Sequence, residues 1–391
     1  LLPHDELLRF SSEGVETNVD HTTILSGPPE RRKARPPLPS DGRLPIPPPL
    51  TKDLPRRFGD YLVTSELSRD ALGRVFRAID VSGSGEFVRL RIFDTRHVDA
   101  PMLIDAIGVA EQMRPLLSAP FTARGERAGA VDRLPYLAWK ETHGWTLDVL
   151  SSGFRSFGSP LAVEHALLIA DRIAAAVDAA HRKTFEGRPL AHGLVWPGFV
   201  SIGADADIFV AGFGLAAGIF PTLEEPALAA GIAPYVAPEE RLRPRVAPLS
   251  DIYSVGAILL ELLTGRLPSL EPEAVAVRKG DALPEDVVQL LRGALSKPSL
   301  RFSSMGAFRR ELGRVIVAGR YSPSSFALSQ LLAERLGPQS IQHAEAAALA
   351  ERERRRATLT RPRAMAPATV IDHDSEVDSV LRSFWSRAET T

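Results

Sequence analysis

Side chains able to do acid–base, nucleophilic or metal chemistry are thinly spread through the middle of this 391-residue chain. There is no cysteine, which excludes disulfides, thiolate metal sites and a cysteine nucleophile, and fits a reducing, cytoplasmic setting. His181 has no second histidine or carboxylate at metal-ligand spacing nearby, so it reads as a packed helix-end residue. Asp205 and Asp207, in A-D-A-D, sit between two short apolar runs, where a solvent-facing turn accounts for them. Between Ser68 and Val75 a turn carries one glycine, Gly73, with Asp70 close by. Backbone amides approach a phosphate closely where no Cβ intervenes, and a carboxylate repels it, so this turn is a poor phosphate cradle.

The elements that would position these residues are clearer. Ser250 to Gly265, S-D-I-Y-S-V-G-A-I-L-L-E-L-L-T-G, is apolar on nearly every face, which predicts a buried central helix. Ser250 or Asp251 is the expected N-cap and Gly265 the left-handed stop. Residues 161–182 form an amphipathic helix, and a helix from about Met102 to Leu117 carries Glu111. Phe58 to Asp80 reads as two strands joined by a tight turn. In F-V-R-L-R-I-F (Phe87 to Phe93), Val88, Leu90 and Ile92 alternate with arginines, Arg91 among them, as in a half-buried strand. A further hairpin spans Glu126 to Arg133 and leads into P-Y-L-A-W-K-E (Pro135 to Glu141).

Composition bounds the rest. A hydrophobic share of 44% beside 24% charged residues is that of a globular protein. A net charge of −1 gives no reason to expect nucleic acid as the main partner, and no apolar run is long enough to span a membrane. Ten prolines crowd residues 28–55, which favours a disordered, polyproline-like tail. The R-R-K-A-R run (Arg31 to Arg35) reads as a solvating charge cluster.

Y-V-A-P-E (Tyr235 to Glu239), the buried helix after it, and L-S-K-P-S-L-R-F (Leu295 to Phe302) follow the order seen in the C-terminal lobe of protein kinases. The hairpin after Phe58 resembles the first hairpin of the bacterial serine/threonine kinase family. The resemblance covers roughly residues 58–318. It implies an α+β, bilobed fold with a small β-rich N-lobe (58–138) and a larger helical C-lobe (139–318). Residues 1–55 and 346–391 would be disordered tails, and 319–345 a helical extension, similar to a segment in myxobacterial-type proteins.

In that family Asp251 would anchor the backbone of the catalytic loop, Glu239 would pair with Arg301, and His192 and Phe213 would stack inside the C-lobe. The family's glycine-loop positions fall here on Ser68, Asp70, Gly73 and Val75, and the phosphate-binding lysine on Arg91, with Glu111 offered as its helix partner. Counting back from Ala119-Pro120, however, the partner position falls on Ala110. Backbone groups near Ala138 and Lys140 would be the adenine hinge. The catalytic loop, A-H-G-L-V-W-P-G-F-V, has Leu194 for the base, Trp196 for the lysine and Phe199 for the metal-binding Asn. Gly212 stands where the second metal-binding residue, an Asp, belongs. Phosphoryl transfer needs a carboxylate to orient the hydroxyl and a metal to neutralise charge, and these side chains supply neither.

The resemblance therefore implies a catalytically inactive kinase-like domain, a pseudokinase, regulating or scaffolding bacterial signalling. No metal and no cofactor are expected, with ATP bound without Mg²⁺ as the variant. Two alternatives stand beside it: an atypical serine/threonine kinase, and a Mg²⁺-independent nucleotide sensor that holds ATP at the hinge. Partners would be other signalling proteins, including active kinases and readers of proline-rich or phosphothreonine motifs. Thr17 and Thr369, each with Asp three residues on, fit the latter pattern. Thr222 is the single serine or threonine between Leu215 and Ala237, the segment where the family's activating phosphorylation falls.

Overall fold

The computed structural model describes residues 54–83, 85–117, 120–142, 144–156, 160–242, 246–267 and 283–336. The expected tails, with Thr17 and Thr369, lie outside them.

The chain first builds an antiparallel sheet: β1 (Arg56–Phe58), β2 (Tyr61–Asp70), β3 (Gly73–Asp80), β4 (Phe87–Phe93), then, after helix α1 (Ala100–Met113), β5 (Arg127–Val131) and β6 (Leu134–Lys140). The strand order is β1-β2-β3-β4-β6-β5. A two-residue turn, Ala71-Leu72, joins β2 to β3, and Gly73 follows with φ +144°. A Cβ there would stand 2.2 Å from the Ile92 carbonyl, so only glycine allows β3 this close to β4. Asp99 caps α1 through the Met102 N–H at 3.0 Å. The helix stops short of Leu117 because Pro115 has no N–H to continue the ladder, and Arg114–Leu116 forms a 3-10 turn instead.

The second part begins with β7 (Gly144–Thr146), α2 (Leu147–Ser156) and α3 (Val163–His181), followed by the small hairpin β8 (Thr184–Phe185) and β9 (Arg188–Pro189). Next come β10 (Val200–Gly203) and β11 (Ile208–Val210), which with β7 make a sheet of order β11-β10-β7. Asp205 and Asp207 flank its turn, where Asp205 Oδ1 accepts from the Asp207 N–H at 3.0 Å. Short helices α4 (Ala216–Ile219), α5 (Pro226–Gly231) and α6 (Pro238–Leu242) precede the central α7 (Pro248–Thr264). Helices α8 (Glu285–Leu295), α9 (Met305–Ala318) and α10 (Ser325–Leu336) complete the described chain.

Every residue of α7 from Ser250 to Leu263 is buried, as its all-round apolar pattern requires. Its start differs from the expectation. Ala247 is the N-cap position and Pro248 opens the helix. Ser250 and Asp251 do not cap it because their side chains are committed elsewhere: Ser250 Oγ donates to Glu240 Oε1 at 2.6 Å, and Asp251 faces the loop described below. Gly265 ends the helix at φ +66°, donating to the Glu261 carbonyl at 2.7 Å. Helix α10 buries Leu328 and Leu332 in the main core, while Phe326 of the same helix is 72% exposed.

Arg301 pins the loop before α9 to α6. Its guanidinium donates to both Glu239 oxygens at 2.6 and 3.2 Å and to the carbonyls of Leu249 and Ser296 at 2.9 Å each, over the Tyr253 ring at 5.4 Å. A lysine can keep the charge but not this planar fork. Arg301→Lys is therefore expected to cost about 2 kcal/mol, read as a lower urea midpoint.

Candidate functional site

The loop from Ala191 to Phe199 lies between the two sheets and is held from below by one buried carboxylate. Asp251 accepts the His192 N–H at 2.8 Å, the Gly193 N–H at 2.7 Å and His181 Nε2–H at 2.8 Å. His181 is thus a second-partner donor at the end of α3. His192 stacks on Phe213 with ring centroids 4.5 Å apart. Its Nε2–H donates to the Ala211 carbonyl at 2.9 Å, while Nδ1 accepts the Leu194 N–H at 3.2 Å. Burial pushes the imidazole below its ordinary range, so it is the neutral tautomer these bonds require.

The positions where a base and metal ligands were sought are apolar and packed. Leu194 and Phe199 are buried, and Gly212 adopts φ +86°. A Cβ at Gly212 would lie 2.9–3.0 Å from the Phe199 ring. The two replacements are complementary: the phenyl ring fills the space that a side chain at Gly212 would need. Gly212→Asp should accordingly cost about 1–3 kcal/mol through overpacking. Adding Phe199→Ala should remove that part of the loss in a double-mutant cycle. Additive urea-midpoint losses would show that Phe199 is not what fills the space.

Arg91 closes the cleft from the other side. Its side chain has no exposed surface. Nη1 pairs with Asp70 Oδ1 at 2.6 Å and Nη2 donates to the Gly198 carbonyl at 2.9 Å. The guanidinium also lies 5.7 Å from the Trp196 ring and 5.4 Å from that of Phe199. The β2–β3 tip is tucked in as well: Leu72 is buried in the main core, and Ala71 abuts Gly231 of α5, where a Cβ would come within 3.0 Å. Val75 is buried in the same core, and Ser68 faces it across the hairpin. Asp148, in the first turn of α2, faces this ion pair. Burial and then the Asp70 charge raise its carboxyl above the usual range, while Arg91 pulls it down.

The expected hinge positions lie in strand β6. Ala138 sits mid-ladder between Leu90 and Arg127, and the Lys140 N–H donates to the Arg124 carbonyl at 2.9 Å. β6 runs on through Lys140. The side chain that does cross is Trp139, whose Nε1–H donates to Ser201 Oγ of β10 at 3.1 Å, both residues buried. Sequence reasoning passed over Trp139. Strand alternation was the available signal, since Leu137 and Trp139 share the face opposite Ala138. Arg89 adds a further tie to the Gly144 carbonyl and pairs with buried Glu141 at 3.0 Å.

Glu111 does not reach Arg91. Its Oε1 accepts the Ala128 N–H of β5 at 2.7 Å, and its Oε2 pairs with Arg114 at 3.1 Å. One residue earlier, buried Ala110 faces the cleft side and packs on Gly214, where a Cβ would lie 2.9 Å from the Ala110 Cα. The small residues bring α1 directly onto the G-F-G segment. A carboxylate missed from sequence stands behind that segment: Glu126 Oε2 accepts the Gly212 N–H at 3.1 Å, and burial pushes its carboxyl up to about 8. Thr222 is half-buried and donates to the Ile219 carbonyl at 2.9 Å. Among the described residues no cluster of three or more His, Cys, Asp or Glu side chains has metal-site geometry, and no helix is long and apolar enough to cross a membrane.

No protein-family model matches this chain. Its sequence is similar to serine/threonine-protein kinase PknA of Mycobacterium tuberculosis, 26% identical over 282 residues, covering 68% of this chain and 63% of PknA. It is also similar to the probable serine/threonine-protein kinase PknB of Lactococcus lactis, 26% identical over 231 residues, covering 56% of this chain and 34% of PknB. The chain therefore spans less than two thirds of the length of either of these curated relatives. In structure it is similar to the kinase domain of Mycobacterium tuberculosis PknI, with a TM-score of 0.52 at 22% identity over 66% of this chain and 97% of that domain. The expected α+β architecture is the one observed: the chain has a protein-kinase fold, and its relatives in sequence are bacterial serine/threonine protein kinases.

Proposed function

We propose that this kinase-like domain is catalytically inert and serves bacterial signalling as a regulatory or scaffolding module, with other signalling proteins as its partners. The observation that carries the reading is Arg91. In an active site this strand position would offer its cation to a nucleotide phosphate. Here the cation is wholly buried, and it is spent on Asp70 and on the Gly198 carbonyl across the cleft.

The loss of chemistry points the same way. Leu194 has no group to accept a proton, and a general base is typically worth about 10²- to 10⁴-fold in rate. Phe199 and Gly212 offer no oxygen to a metal, so the charge neutralisation on which phosphoryl transfer depends has no visible support. Trp139 and Ser201, joined across the two sheets, leave a nucleotide base to compete with a buried hydrogen bond. These features together disfavour both the atypical-kinase and the nucleotide-sensor readings.

A thermal-shift titration with ATP, with and without Mg²⁺, tests this. A ligand at a hundredfold its Kd would stabilise the fold by about 2.7 kcal/mol, so a true site would be conspicuous. The expected result is no rise in Tm in either condition at millimolar ATP. A rise without Mg²⁺ would mean a nucleotide sensor, and a rise only with Mg²⁺ would restore the kinase reading.

A further inference from the structure

Behind the G-F-G segment lies a cavity of about 480 Å³ that plays no part in the reading above. From its lining we infer a binding site for a compact organic cation, an amine or amidinium on a flat apolar body, with Glu126 as the counter-ion.

The cavity is of a size that suits a small ligand. Phe121, Val210 and Phe213 give it apolar and aromatic walls, and Glu126 brings a carboxyl to it. The walls are firmly built. The Val210 N–H donates to the Phe121 carbonyl and the Ala123 N–H to the Val210 carbonyl, each at 2.8 Å. Phe121 is held at φ +68°, a conformation that a bulky residue keeps only where its surroundings enforce it.

Glu126 has one hydrogen bond among the described residues, from the Gly212 N–H at 3.1 Å. The two arginines that also line the cavity are engaged elsewhere: Arg114 pairs with Glu111 at 3.1 Å, and the Arg124 guanidinium lies over the Phe209 ring at 5.8 Å. With no ion pair among the described residues and only the pull of Arg114 on it, the Glu126 carboxyl has room for a cationic ligand. The Phe121 ring already carries the Arg172 guanidinium 4.8 Å from its centroid, and Phe213 is the other ring a cation could lie against.

Burial, helped by the Glu111 charge, pushes the Glu126 carboxyl up to about 8 against the opposing pull of the Gly212 N–H and of Arg114 in the turn after α1. A bound cation favours the ionised form, so binding expels a proton from Glu126 to solvent and strengthens as pH rises. The site also communicates with the core, because Phe213 both lines the cavity and stacks on His192.

Benzamidine is a suitable probe, titrated calorimetrically into the full chain between pH 6 and 9. Below pH 8 the Kd should tighten on the order of tenfold per pH unit, with one proton released, and level off above it. Proton release is read by repeating the titration in buffers of different ionisation enthalpy. Glu126→Gln keeps an acceptor for Gly212 but cannot ionise. At pH 9 it should bind at least tenfold more weakly than the wild-type chain, and its Kd should not change with pH. Absence of saturable binding to the wild-type chain at millimolar benzamidine would overturn the proposal. So would a flat wild-type pH profile, or equal binding by the folded Glu126→Gln variant. The wild-type profile decides the matter even if that variant does not fold.

Discussion

Asp251→Ala will be among the most damaging single substitutions in this chain, lowering folding stability by roughly 3–5 kcal/mol. Asp251 is fully buried and receives three donors: the His192 and Gly193 backbone N–H groups and His181 Nε2–H. Each buried donor left without a partner costs about 1–3 kcal/mol, and truncation to alanine strands three while also leaving a small void. Offsetting gains are small, since the lost carboxylate was itself well paired. The loop it anchors sets His192 against Phe213 and aligns Leu194 to Phe199, so loosening it should be felt across the cleft. Urea unfolding of the two proteins gives the difference directly, and Asp251→Asn, which keeps one acceptor oxygen, should fall between them. A loss below about 1 kcal/mol would mean that water replaces the carboxylate cheaply and that the anchor is not structural.

Glu126→Gln should reverse its effect on stability between acid and alkaline pH. The folded carboxyl is raised to about 8 from an ordinary 4.5. A raised carboxyl favours the folded state while protonated, so its contribution is fully present below pH 4.5 and is lost as pH rises through 8. At roughly 1.4 kcal/mol per pH unit the wild-type chain loses up to about 5 kcal/mol over that window relative to a non-titrating variant. Partial exposure of Glu126 makes the realised loss smaller. The wild-type chain should therefore be at least as stable as Glu126→Gln at pH 5 and clearly less stable at pH 9. Paired urea melts at pH 5, 7 and 9 measure this, and a difference that does not change with pH would show that Glu126 ionises normally.

Both effects depend on groups buried for different reasons. Asp251 is surrounded by three donors, whereas Glu126 has a single one, the Gly212 N–H. That contrast explains why one is an anchor and the other a poised acid. It also bears on the cleft, where Arg91 Nη1 and Asp70 Oδ1 pair at 2.6 Å while Arg91 Nε and Asp70 Oδ2 are buried without a hydrogen-bond partner.

What the sequence determined by itself was the frame. An apolar run on every face reads as a buried helix, so α7 was legible, and the resemblance of the motifs around it to a kinase C-terminal lobe implied that Glu239 and Arg301 would meet. That Leu194, Phe199 and Gly212 can neither accept a proton nor bind a metal was equally legible, because a side chain's chemistry does not depend on where it points. Only the tertiary structure decided what occupies the vacated space. That Phe199 fills the room left at Gly212, that Arg91 turns to Asp70 and Gly198 rather than to Glu111, and that Trp139 reaches Ser201 are contacts between residues 13 to 107 positions apart. No local pattern encodes such distances. A shift of one position around α1, about 100°, was enough to send Glu111 to β5 and leave Ala110 beside Gly214. Glu126 was invisible for the same reason: its acidity is set by the apolar residues that folding brings around it.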